Sequence, residues 1–335
     1  IRDYKVTGVQ TCALPISIEG NQVVNLVGGP YKHQHYRANL KVVFQNKTPT
    51  CQYRGVGHPI ACAVTEGLVD LAAQKLKIDP IEIRKRNVIP DNAYPYTGAS
   101  GIKLEILSHE QCLRKIEKMM DYPALRKEQE EFRKKGIYRG IGIATLIELT
   151  NPSAAFYGVG GARIASQDGA TVRLDPTGMV SVMVGVGEQG QGTEGIFAQI
   201  AADAVGVSIK HIRIITGDTD VTPYGGGTWA SRGAGVGGEA VLRACEALRD
   251  NILKLAGVIL KRDSDTLVIR RGNIVDKASA EQLLTLSELG RIGYFRPDTL
   301  PADFSVDLMV TRHYAQKDYP FIFTNGVQEI GRAHV

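Results

Sequence analysis

The sequence predicts an α+β protein of two layered domains, and three observations carry that reading. Its 335 residues are enough for two domains that each bury a core. Helical spacing dominates up to Gly136, and apolar, β-branched strand patterns begin directly after it. Beyond that point strands and helices mix without the regular strand–helix–strand alternation of a doubly wound sheet, which favours segregated layers. The expected domain boundary lies between residues 135 and 136.

Taken in chain order, Ala61, Val64, Leu68 and Leu71 recur at helical spacing and predict an amphipathic helix packed on a core. Asp79 as N-cap, Pro80 at the first position and Glu82 completing a capping box predict a short helix over IEIRKRN. Ser108 with Gln111 repeats that device before Leu113, Ile116 and Met120. The charge-rich stretch 124–135 reads as a solvated helix stopped at Gly136. Ile137 to Leu149 then reads as a strand, and Thr171 to Leu174, a DPTG turn and Val180, Val182 and Val184 form a hairpin with one buried face. Phe197, Ile200, Ala201 and Ala204 mark a helix, His211 to Thr216 a strand, and Val241 through Ile259 a long buried helix. A further hairpin turns at Gly272 and Asn273.

Both ends are expected to be non-native. Residues 1–17 resemble the translation of a sequencing-library index adapter, and residues 329–335 resemble the same adapter entered from the other side. Native sequence is then expected from Ile18 to Gln328, leaving Cys12 and His334 without a role.

The net charge of +5 is spread along the chain and gives no nucleic-acid footprint. Apolar runs such as Val180 to Val186 fall far short of the roughly 20 residues that span a bilayer. Cys51, Cys62, Cys112 and Cys245 show no CxxC pair and no zinc or iron–sulfur spacing, so reduced, mostly buried thiols in a cytoplasmic protein are expected. Any redox chain would then need its metal centres on another polypeptide or domain.

Glycines crowd three segments: YRGVGHP at 53–59, GEQGQGTEG at 187–195, and GDTDVTPYGGGTWASRGAGVGG at 217–238. The last two run from a strand into a helix, where inward-turned amides and a helix N-terminus favour an anion such as phosphate. Each cluster alone is weak evidence, since a glycine-rich turn is more often only a turn. None matches a Walker or dinucleotide fingerprint, and apart from Arg232 the second and third carry no Lys or Arg clamp for a common nucleotide.

Taken together and in order, the clusters resemble the molybdenum hydroxylases, the family of xanthine dehydrogenase, aldehyde oxidase and aerobic carbon monoxide dehydrogenase. The similarity begins with GPY at 29–31 and runs through YRGVG and LAAQKLKIDPIEIRKRN. It is most specific in GQGTEGIFAQIAADAVGV followed by GDTD and GTWASR. It implies that residues 18–135 are the C-terminal part of a first molybdopterin-binding domain and that 136–328 form a second one, truncated at its C-terminal end. It also implies a molybdenum–molybdopterin cofactor, in its cytosine dinucleotide form, with no metal ligand from the protein. The parent subunit would hydroxylate aldehydes or nitrogen heterocycles with oxygen from water. Electrons would pass to Fe–S and FAD subunits of a hetero-oligomer.

Site residues follow from the same resemblance. Gln191, flanked by Gly190, Gly192 and Thr193, corresponds to the glutamine that hydrogen-bonds the cofactor near the metal; a glutamine bonding its own turn is the alternative. Arg54 corresponds to an arginine beside the substrate, where a structural ion pair is the alternative. Thr228, Ala230 and Ser231 fall in a stretch that passes close to molybdenum and pterin. Asp218, Thr219 and Asp220 would line the nucleotide side, or simply cap the strand end. Two family elements have no counterpart: a GGGFG-type loop upstream and the base glutamate of a GEP-type motif downstream. Glu188 is not that base, and the chain is not expected to catalyse alone. Gly55 stands where carbon monoxide oxidising members carry a copper-binding cysteine, which disfavours copper chemistry, and His33, His35 and His58 are not expected to bind metal.

Overall fold

The computed structural model describes residues 16–43, 46, 54–154, 165–317 and 322–334. Most of the N-terminal segment expected to be non-native, together with Cys51 and Tyr53, lies outside the described residues. The chain divides into two compact units, one of residues 1–150, 158–162 and 322–335, the other of residues 151–157 and 163–321.

In the first unit, helices α1 (Ile16–Leu26), α2 (His58–Leu76), α3 (Pro80–Asn87), α4 (His109–Met119) and α5 (Tyr122–Lys134) accompany the long strand β3 (Arg139–Thr150). A small ladder, β1 (Tyr96–Thr97) with β2 (Lys103–Leu104), lies between α3 and α4. The division falls later than the boundary expected after residue 135, because β3 does not open the second unit. It pairs antiparallel with β11 (Ile322–His334), from Ile322 opposite Thr150 to Gln328 opposite Ala144 and beyond. Its buried residues Ile143, Ile147 and Leu149 alternate along the strand, and Ile143 and Ile147 enter the first unit's two cores.

Three local expectations are corrected here. Asp79 caps α3 by accepting from the Ile81 and Glu82 amides, but Glu82 reaches Arg86 and Lys85 instead of closing a capping box. Ser108 makes no side-chain cap on α4; Asp91 does so from outside the helix, accepting from the Glu110 and Gln111 amides at 3.1 and 3.0 Å. On α2, Val64, Leu68 and Leu71 are exposed, and the face turned inward carries Ala61, Thr65, Glu66 and Ala73.

The physical reason for that last shift of the buried face, which keeps Ala61 but not the larger apolar residues, is a buried polar network. Glu66 accepts from Tyr31 Oη at 2.7 Å, from Thr145 Oγ1 at 2.5 Å and from the fully buried Arg84, whose guanidinium also pairs with Asp70. Thr65 accepts from the Gly28 amide. Turning the apolar ridge inward would leave these charges without partners. Burial, and then the Glu66 charge, push the Tyr31 hydroxyl far above its ordinary pKa, so it remains a donor.

The second unit is a four-stranded sheet in the order β10-β4-β5-β6, covered by two helices. Strands β4 (Gln167–Leu174), β5 (Val180–Val184), β6 (Ile212–Ile215) and β10 (Met309–Ala315) pair antiparallel except for the parallel β5–β6 contact. That parallel pair is joined by α6 (Thr193–Val205), and α7 (Gly238–Leu260) packs beside it, led in by a π-turn at Gly233–Gly237. A three-stranded meander, β7 (Leu267–Arg270), β8 (Asn273–Asp276) and β9 (Gln282–Thr285), precedes α8 (Leu286–Phe295), whose Thr285–Glu288 capping box is complete. The core runs through Val180, Val182, Val184, Phe197, Ala201, Ala244, Leu248 and Ile252. Cys245 lies within it, and burial pushes its thiol up to about 12, so it is protonated packing rather than a reactive group.

Glu66→Ala leaves the Arg84 guanidinium buried without its main partner. It should destabilise the protein by roughly 3–5 kcal/mol in urea denaturation. A loss below about 1 kcal/mol, as for an exposed pair, would mean that the network does not hold the α2 face.

Candidate cofactor-binding site

At the C-terminal end of β5 the chain passes through GEQGQG into α6. Glu188 organises this loop: its carboxylate accepts from the amides of Gln189 at 3.0 Å, Gly190 at 2.7 Å, Gly192 at 3.1 Å and Glu194 at 3.2 Å. Some desolvation works against the charge, but the Glu194, Gly192, Gly190 and Thr193 amides outweigh it and hold Glu188 below the usual carboxylate range. The anion position expected for a phosphate here is thus filled by the chain's own carboxylate at a helix N-terminus. Gln191 Oε1 accepts from the Gln189 amide at 2.7 Å, the local bond weighed as its alternative role, which leaves both Nε2 donors for a ligand. Thr193 is 2 % exposed and faces Gly233, so it belongs to the loop–helix junction rather than to the open face.

The third cluster meets the second. Thr228 Oγ1 donates to the Gly187 carbonyl at 2.6 Å, and Gln189 Nε2 donates to the Thr228 carbonyl at 3.4 Å. Ala230 and Ser231 follow with φ of 47° and 53°, two consecutive non-glycine residues in the left-handed region. Positions 190, 192, 217 and 227 open onto free space, so this junction presents an uncovered, backbone-rich surface that a large ligand can lie against. Asp218 accepts from the Asp220 amide at 3.0 Å and its carbonyl receives Thr222, a turn at the end of β6 in which Asp218, Thr219 and Asp220 are all exposed.

Arg232 does not face that surface. Its side chain is 1 % exposed, donates to the Ala165 carbonyl at 2.6 Å and pairs with the fully buried Asp168 at 3.3 Å. The one cation that could have served a nucleotide clamp is therefore engaged internally. Burial raises the Asp168 pKa, opposed by Arg232 and by the Gly169, Gly227 and Gly226 amides. Neither Glu188 as loop anchor nor Asp168 was identified from sequence as a site residue. A signal for Asp168 existed: it is in phase with Ala170, Val172 and Leu174 on the buried face of β4, where an isolated charge requires a partner.

Arg54 lies in the first unit, exposed just ahead of α2, and Gly55 beside it has φ of 77°. His33 Nδ1 lies 3.0 Å from the Tyr31 carbonyl, and His58 Nε2 accepts from the Leu149 amide. Among the described residues no three His, Cys, Asp or Glu side chains gather as a metal site, and no helix is long and apolar enough to cross a membrane.

Two family models match the chain, both described as molybdopterin cofactor-binding domains, over residues 5–88 and 115–330. The chain belongs to the molybdenum hydroxylases. The nicotine 6-hydroxylase large subunit of Paenarthrobacter nicotinovorans is 34% identical over 267 residues, 80% of this chain and 32% of that protein. A putative xanthine dehydrogenase molybdenum-binding subunit of Escherichia coli K12 is 30% identical over 285 residues, 84% of this chain and 36% of that protein. Quinoline 2-oxidoreductase from Pseudomonas putida 86 superposes with a TM-score of 0.72 at 34% identity, covering 86% of this chain and 37% of the solved one. The chain spans about a third of the length of these relatives.

Because the folded-state pKa of Glu188 is depressed, its stabilisation of the loop is present at neutral pH and is lost as pH falls through that depressed value. The Gly190 and Gly192 amide resonances should titrate with a midpoint below the usual glutamate range, and Glu188→Gln should abolish the transition. A midpoint at or above that range would show that Glu188 does not anchor the loop.

Proposed function

We propose that the chain is the molybdopterin-binding part of the large subunit of a cytoplasmic oxidative hydroxylase acting on nitrogen heterocycles or aldehydes. The observation that carries this is the junction of the GQG loop with the GTWAS turn, where open glycine faces and exposed backbone groups suit a pterin. Nicotine and quinoline, which appear in the names of two relatives, are nitrogen heterocycles, and this supports placing that class first.

When bound, in its proposed cytosine dinucleotide form, the molybdenum–pterin group supplies two-electron oxidation with oxygen drawn from water. Gln191 offers its free amide donors toward that group, between the open positions Gly190 and Gly192. Thr193 ties the loop to α6, and Thr228, Ala230 and Ser231 present the neighbouring backbone. Asp218, Thr219 and Asp220 would border the nucleotide portion. Arg54 would place a guanidinium beside the substrate and steady negative charge developing on it. The left-handed backbone at Gly55 resists a cysteine, which supports chemistry without copper. The general base, a glutamate, would come from sequence beyond this chain, and Fe–S and FAD subunits of a hetero-oligomer would carry electrons away.

In the full-length protein purified with its partner subunits, molybdenum and cytidine monophosphate released on hydrolysis should be present in equal amounts. Arg54→Ala should lower kcat/KM on a heterocycle by about 10²-fold with the metal content unchanged. Absence of both molybdenum and pterin would overturn the proposal; cofactor present with no oxidation of any heterocycle or aldehyde would leave a binding protein without catalysis.

A further inference from the structure

We propose that Asp168 and Arg232 form a buried latch that holds the Thr228–Ser231 turn in the shape the cofactor needs, with Asp168 as a positioning residue. The inference rests on the molybdopterin reading above. It begins from a cost: two charges withdrawn from water lose more solvation than their attraction usually returns, and a well-packed apolar pair in the same volume is commonly as stable or more so. Side-chain exposures of 0% and 1% place this pair in that regime. A pair kept there suggests a requirement for one particular local geometry rather than for stability.

The geometry it specifies is visible. Asp168 Oδ1 accepts from the Gly169 amide at 3.1 Å, and the neighbouring Gln167 carbonyl accepts from the Gly226 amide at 3.1 Å, which draws the glycine run 225–227 over the carboxylate. Arg232 joins the carboxylate through Nη2 and the Ala165 carbonyl through Nη1, and its guanidinium lies 5.6 Å from the Trp229 ring. The approach is so close that a Cβ at Gly225 would sit 2.2 Å from Asp168 Oδ1, and one at Gly226 2.0 Å from Arg232 Nη1. The backbone of Arg232 is held as well: its amide donates to the Trp229 carbonyl at 3.3 Å, and its own carbonyl receives Val236 and Gly237 at the entry to α7.

Between these fixed points lie Ala230 and Ser231, whose left-handed φ values are unfavourable for residues with a Cβ. Such a turn persists only when its surroundings over-determine it, and the latch fixes it at both ends. The same turn carries Thr228, which bonds to Gly187 of the GQG loop. Asp168 therefore governs how two cofactor loops meet without facing the ligand itself.

The test uses the full-length protein with its partner subunits and compares Asp168→Asn, Arg232→Lys and Leu248→Ala. Leu248 is fully buried in α7 as part of the hydrophobic core and, being apolar, is no hydrogen-bond or ion-pair partner of Asp168 or Arg232, so its variant controls for general loosening. Molybdenum by elemental analysis, pterin by the fluorescence of its oxidised form, and Tm are measured for each. Asp168→Asn should retain about tenfold less molybdenum and pterin than Leu248→Ala at a similar Tm. Cofactor loss that simply follows Tm across all three variants would overturn the latch. Should Asp168→Asn fail to fold, Arg232→Lys, which keeps a cation but not the two-pronged contact, carries the same comparison. Wild type devoid of molybdenum and pterin would instead overturn the molybdopterin reading, and the latch with it.

Discussion

A charge held away from water must be surrounded by groups that replace the water, and in each unit a buried arginine imposes that demand on its neighbours. In the first unit Arg84 gathers Glu66, Asp70 and, through Glu66, Tyr31 and Thr145. These bonds tie α2, α3 and β3 together and choose which face of α2 turns inward. In the second unit Arg232 gathers Asp168 and the Ala165 carbonyl, and Asp168 in turn accepts from the Gly169 amide. The hydrophobic core of that unit supplies cohesion without direction, whereas the ion pair specifies one arrangement of a loop that would otherwise have many.

Glu188 plays a related part at the surface. An acidic side chain at the start of a helix satisfies amides that the helix itself leaves unpaired, and here it also draws the glycine loop into a defined curve. The loop is thereby shaped by the chain itself. Gln191 is left with its amide donors available, and the adjoining glycines face open space. A surface organised in this way would lose little entropy if a ligand settled on it.

Much of the fold was legible from local patterns. The alternation of Val180, Val182 and Val184, the long apolar stripe from Val241 to Ile259 and the DPTG turn all became the elements they imply, because period and turn chemistry act over a few residues. The glycine clusters were legible as loops on the same grounds, and their order carried the family resemblance. Three features were misjudged where distant residues intervene. Asp91 replaced Ser108 as the cap of α4, Glu66 rotated the buried face of α2, and β11 drew β3 into the first unit. Each depends on a partner that sequence spacing does not reveal.

The sequence by itself determined many of the elements, the family and the position of the loops, since propensity, periodicity and motif order are properties of neighbouring residues. Only the tertiary structure decided how those loops are held. Asp168 and Arg232 stand 64 residues apart, and nothing between them along the chain announces that they meet. The contact exists because β4 and the entry to α7 pack against one another, and two charges buried by that packing have no other way to be satisfied.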